Sequence, residues 1–78
     1  MNKLEEYKEI FKANLQIGDE QLEGLTYQSI AAWDSVGHMG LIASIEDTFD
    51  VMLDTDDIIE FSSFSKGIEI LKKYDVNL

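Results

Sequence analysis

The 78 residues suffice for one small domain with a modest core, since a chain of this size buries only about 60% of its extended surface. Cysteine is absent, which excludes disulfides and thiolate metal sites, and no apolar run approaches the ~20 residues of a membrane span. The six cations are all lysines and face sixteen acids, for a formal net charge of -10, a field that repels nucleic acid and anionic lipid.

The charge is uneven along the chain. Between Lys12 and Lys66 there is no lysine or arginine, yet that stretch holds Asp19, Glu20, Glu23, Asp34, Glu46, Asp47, Asp50, Asp54, Asp56, Asp57 and Glu60. Such a middle steers basic protein surfaces toward itself, besides keeping the chain in solution. The acidic, amphipathic start "MNKLEEYKEI" is unlike a secretory signal, so the expected location is the cytoplasm.

Helical spacing dominates throughout, with little strand-like alternation. Leu4, Tyr7, Ile10 and Phe11 predict a first helix over 3–14, ended by turn chemistry at Gly18 and Asp19. A long connection follows over 15–33. Ile17, Leu22, Leu25, Tyr27, Ile30 and Trp33 are spread through it, so it is expected to pack across the other helices, and a loop this long in a small domain tends to be functional.

The second helix is predicted over 35–50. At about 100° per residue, His38, Leu41, Ile42, Ile45 and Phe49 share a core face. The opposite face carries Val36, Met39, Gly40 and Ala43, with Glu46 and Asp47 further along. A free surface helix would be polar there. An apolar spot in an acidic surround is the character of a transient protein-binding surface, so these six residues are the candidate partner-binding set. Asp54 and Thr55 offer caps for a short helix through Phe61, with Asp56 and Asp57 suited to its first turn. Ser62 or Ser63 then caps a last helix in which Phe64, Ile68, Leu71 and Tyr74 recur. The expected fold is all-α, a single domain over 1–78: a small four-helix bundle of three principal helices and one short one, with a long first loop.

Three chemistries could draw on these residues. Serine hydrolysis at Ser35 needs a base in reach, but His38, the sole histidine, points to the core face, and the G-x-S-x-G pattern of a nucleophile elbow is incomplete, with Trp33 in place of its first glycine. An EF-hand starting at Asp50 would need an oxygen ligand at Met52, glycine at Thr55 and glutamate at Phe61, and fails at each. No metal site and no catalytic residue is expected. Ser35 is either an ordinary cap of the second helix, a role for which Asp34 competes, or an attachment point: a phosphate ester on it would sit at the positive end of that helix, with an external enzyme supplying the activation. Gly37 and Gly40 beside it would let a large group or a partner's backbone approach closely.

The stretch "WDSVGHMGLIASIEDTFDV" resembles the phosphopantetheine attachment region of acyl carrier proteins. That family has Asp-Ser-apolar at the start of its second helix, matched by Asp34-Ser35-Val36, and then an acidic stretch before a phenylalanine, matched by Glu46-Asp47-Thr48-Phe49. The resemblance extends over nearly the whole chain. It implies a non-enzymatic carrier whose Ser35 receives 4'-phosphopantetheine from coenzyme A through a phosphopantetheinyl transferase. The arm's thiol would hold an acyl thioester and pass it between acyl-loading and acyl-accepting enzymes with basic docking surfaces, the carrier acting as a monomer.

Carriers of bulk fatty-acid synthesis usually place acids where this chain has Gly37 and Gly40, which favours a specialised pathway such as secondary-metabolite or surface-glycan acylation. An aminoacyl or peptidyl carrier is a close alternative, although Ala31-Ala32-Trp33 precedes the serine instead of a glycine-rich approach. A non-enzymatic acidic interaction module is a second. Ile42, Ile45, Phe49, Ile58, Ile59, Phe61 and Ile68 form either a cargo cleft or only the core. The glycines beside Ser35 favour a short or polar acyl group held mostly outside the molecule.

Overall fold

Four α-helices arise from local signals at their ends, and a computed structural model describes them over residues 2–78. Helix α1 (Lys3–Leu15) is capped by the Asn2 side chain, which accepts from the Glu5 N–H at 2.8 Å. It ends where Gln16 turns left-handed at φ 55, before the expected Gly18-Asp19 turn. Helix α2 (Ser35–Phe49) begins at Asp34 and ends at a left-handed Asp50. Helix α3 (Thr55–Glu60) has six residues, and α4 (Phe64–Lys72) starts from Ser63, whose hydroxyl accepts from the Lys66 N–H at 2.9 Å. The described residues contain no strand, so the molecule is all-α.

The long connection is ordered, as its apolar residues predict. It carries a single 3-10 turn at Asp19–Gln21 and buries Leu22, Leu25 and Trp33. Its later part lies against the α3–α4 junction: the Tyr27 N–H donates to the Ser62 carbonyl at 2.8 Å, and the Phe64 N–H donates to the Leu25 carbonyl at 3.0 Å. These bonds surround an isolated antiparallel bridge between Thr26 and Ser63. Extended backbone crossing the molecule would otherwise bury polar groups without partners.

The core is aromatic at its centre. Tyr7, Phe11, Trp33 and Phe61 are fully or almost fully buried, with Leu41, Ile42 and Ile45 of α2 and Ile70 and Leu71 of α4 around them. Phe11 stands edge-on to Trp33 and stacks on Phe61. Tyr7 joins α1 to the start of α4 by donating its hydroxyl to the Phe64 carbonyl at 2.6 Å, and burial raises that hydroxyl's pKa. On α4 the buried positions are Gly67, Ile70 and Leu71, while Phe64 and Ile68 are half-buried, as is Tyr74 just past the end of the helix. Leu71 is thus buried as expected and Phe64, Ile68 and Tyr74 pack against the core, while Gly67 adds a close approach, since a Cβ there would strike the Tyr7 hydroxyl and the Phe61 ring. A Cα radius of gyration of 11.3 Å agrees with the roughly 11.5 Å of a packed chain of this length. No helix among the described residues is long and apolar enough to cross a membrane.

Candidate functional site

Asp34, not Ser35, caps α2. The Asp34 Oδ1 accepts from the Gly37 N–H at 2.8 Å, and its backbone carbonyl accepts from the His38 N–H at 2.8 Å. Ser35 is thereby relieved of a structural duty: it occupies the first helical position with its side chain exposed. Gly37 serves this turn as well. A Cβ there would run into the Ala32 carbonyl oxygen, so the chain can double back into α2 only with glycine at this position. Gly40 lies toward Asn14 of α1, where a Cβ would meet the side-chain oxygen at 3.5 Å. Gly37 thus shapes the fold instead of opening a path for a partner, which removes one ground for expecting cargo to stay outside.

Beside Ser35 is a cleft of about 330 Å³ between α2 and α3, lined by Ser35, His38 and Met39, by Ile58, Ile59 and Phe61, and by Tyr27 from the long connection. Of the residues that the sequence suggested as a lining, Ile58, Ile59 and Phe61 are in place. Ile42 and Ile45 are buried in the core, and Phe49 and Ile68 pack against it. Tyr27 reaches the cleft through the pairing with the 62–64 segment, a long-range contact without a local sequence signal.

His38 forms the inner wall of the cleft. The Trp33 indole N–H can only donate, and it donates to His38 Nδ1 at 3.0 Å. The ring proton then belongs on Nε2, which donates to the Ile58 carbonyl at 2.8 Å. With both ring nitrogens committed to these bonds, His38 has no lone pair left for Ser35. Among the described residues no three histidine, aspartate or glutamate side chains converge to hold a metal ion.

The rest of α2 presents the partner-binding candidates unequally. Val36, Met39, Gly40, Ala43 and Asp47 are exposed, Val36 at 79% and Met39 at 58%. Glu46 is half-buried, and its Oε2 accepts from the Leu53 N–H at 2.9 Å, which braces the α2–α3 connection. Two further apolar side chains are open to solvent on the α3 side, Met52 at 81% and Ile59 at 72%. Sequence reasoning passed over Met52 because nothing in its neighbours distinguishes an exposed loop methionine from a core one.

Helix α3, the outer wall of the cleft, is anchored from behind. Asp57 is buried and takes two hydrogen bonds of 2.5 Å, from Lys73 Nζ and from the Tyr74 hydroxyl. The hydrogen bond from Lys73, and after it that from Tyr74, holds the Asp57 carboxyl below its ordinary range, while the same contact raises Lys73. The Tyr74 hydroxyl is raised too, chiefly by its bond to Asp57, and it accepts from the Asp54 N–H at 3.0 Å. From the sequence Asp57 is an acid suited to the first turn of α3. It is also a buried, paired one, and Asp54 caps that helix without a side-chain bond. Compared with known proteins, the chain is matched by no family model, no curated protein and no solved structure.

Proposed function

We propose that the protein is an acyl carrier: a small four-helix bundle whose Ser35 is esterified with 4'-phosphopantetheine. The observation that carries this reading is the state of Ser35. It is exposed at the first position of α2, freed from capping by Asp34, and it opens onto an apolar cleft. The only histidine is fully engaged elsewhere, so the serine has no base of its own and suits modification by a second enzyme.

In the transfer, Ser35 Oγ bonds to the pantetheine-side phosphorus of coenzyme A. The pyrophosphate P–O bond breaks, adenosine 3',5'-bisphosphate leaves, and the transferase takes the serine proton. The phosphodiester formed lies at the N-terminus of α2, where the helix dipole favours negative charge. The arm's thiol then holds the acyl group as a thioester, and enzymes with basic surfaces dock on the exposed apolar residues Val36 and Met39 and the acid Asp47. The carrier works as a monomer in the cytoplasm and serves a specialised acylation pathway.

Incubation with coenzyme A, magnesium and a phosphopantetheinyl transferase should add the mass of one arm to the intact protein, and Ser35→Ala should abolish the addition. Because Asp34 keeps the cap, the alanine variant should retain its stability to within about 0.5 kcal/mol. An unchanged mass for the parent chain, or an arm still added to the alanine variant, refutes the assignment.

A further inference from the structure

We infer that His38 sets how deeply a group attached at Ser35 can enter the molecule, confining the cleft to short acyl chains. The inference rests on the carrier reading of Ser35 and adds a determinant of chain length.

The cleft, at about 330 Å³, is at the small end of the roughly 300–1,000 Å³ typical of ligand sites. What lies behind it is the aromatic core, and His38 stands between the two. Its ring lies edge to edge with Trp33 and nearly coplanar, with centroids 6.2 Å apart and 19° between planes, and it meets Tyr27 and Phe61 edge-on at 5.4 and 6.1 Å. The ring is held in that position from both sides. Turning it outward would give up the bond from the Trp33 indole and the bond to the Ile58 carbonyl together. Trp33 is fully buried, so its indole N–H would be stranded without water or another acceptor.

The opposite wall is equally constrained. Helix α3 is tied to α2 through Ile58 and to the end of α4 through Asp57, Lys73 and Tyr74. A chain entering beside Ser35 therefore meets Met39, Ile58 and Ile59 and then stops at His38 and Phe61. A longer chain continues along the open side into solvent, and its extra carbons gain little burial. The limit comes from a polar bridge across the base of the cleft, which an apolar chain has no means of replacing.

The absence of native cysteine permits a test that involves neither coenzyme A nor a transferase. A Ser35→Cys variant carries one thiol, whose thiolate attacks the outer sulfur of butyl or dodecyl methanethiosulfonate to form the mixed disulfide, with methanesulfinate leaving. With His38 intact, both adducts should shift the amide resonances of Met39, Ile58 and Ile59 alike. The Trp33 indole resonance and the fluorescence of this sole tryptophan should stay unchanged. In a Ser35→Cys, His38→Ala background the dodecyl adduct, and not the butyl one, should move both Trp33 signals. His38→Gln, which keeps a donor for the Ile58 carbonyl, should restore much of the barrier.

Disturbance of Trp33 by the dodecyl chain with His38 in place would overturn the inference. So would exclusion of that chain from the alanine variant, or a butyl adduct that leaves Ile58 and Ile59 unmoved. Should His38→Ala not fold, the two adducts on the His38 background decide alone. Failure of Ser35 to accept an arm would count against the carrier reading and leave these results standing.

Discussion

Gly37 and Gly40 sit one turn apart in α2, and their substitutions should move stability in opposite directions. Glycine inside a helix costs about 1 kcal/mol relative to alanine, so replacement is favourable wherever space allows. At Gly40 the added methyl would meet only the Asn14 side-chain oxygen at an ordinary 3.5 Å. Gly40→Ala should therefore stabilise by up to about 1 kcal/mol. At Gly37 the methyl would strike the Ala32 carbonyl oxygen, a backbone atom that cannot move aside without undoing the turn into Asp34. Gly37→Ala should destabilise by about 1–3 kcal/mol, the range of overpacked sites. Urea unfolding of both variants checks this, and equal gains would mean that the turn before α2 is softer than its geometry implies. The placement of Ser35 at the helix start was legible because a cap is a local device. That Gly37 is needed there depends on where Ala32 folds back.

Helix α3 is too short to persist on its own, since isolated helices below about 12–15 residues are marginal in water. Its position depends on its bonds to α2 and to the end of α4, and the bond through Asp57 makes its anchoring sensitive to acid. The Asp57 carboxyl is held below its ordinary 3.8 chiefly by Lys73. Its contribution to stability is thus complete above that value and is lost as pH falls through the lower folded value. On the alkaline side, Lys73 and Tyr74 have raised values, so their contributions are complete below 10.5 and 10.0 and are lost as pH rises through the folded values. Asp57→Asn should accordingly lower the melting temperature at neutral pH. The gap from the parent protein should hold down to about the ordinary 3.8 and then narrow as the parent's carboxyl protonates. Melting curves of the two proteins followed into acid will show it, and a gap that persists undiminished would mean that the pair contributes nothing through its charge. Asp57 read as an ordinary first-turn acid because its partners, Lys73 and Tyr74, lie 16 and 17 residues away.

For the whole molecule, the net charge of -10 opposes compactness, though less than the sequence suggests. The fold brings lysines from both ends to the acid-rich middle: Lys12 reaches Asp19 at 3.0 Å as well as its helix neighbour Glu9, and Lys73 reaches Asp57. The acids left exposed still repel one another, and their interactions are screened beyond a Debye length of about 10 Å at 0.1 M salt. Raising monovalent salt should raise the melting temperature. Magnesium or calcium at equal ionic strength should do no more than that, because no cluster among the described residues is arranged to hold a divalent ion. Thermal melts in sodium and calcium chloride at matched ionic strength make the comparison. A clear excess for calcium would reveal carboxylates that converge on the ion when it is present.

Local chemistry along the chain determined most of the architecture. Apolar residues at helical spacing and side-chain caps at Asp34 and Ser63 act within a few residues, so the helices and their order could be read directly. The apolar residues scattered from 17 to 33 likewise required that the long connection be packed. Tertiary structure alone decided the cleft and its limits. His38 joins Trp33 to the Ile58 carbonyl, Tyr27 reaches the cleft by pairing near Ser62, and Lys73 fastens α3 through Asp57. Each of these bonds joins groups brought together only when several elements pack at once, and neither spacing nor composition encodes which distant partner a buried polar atom will find.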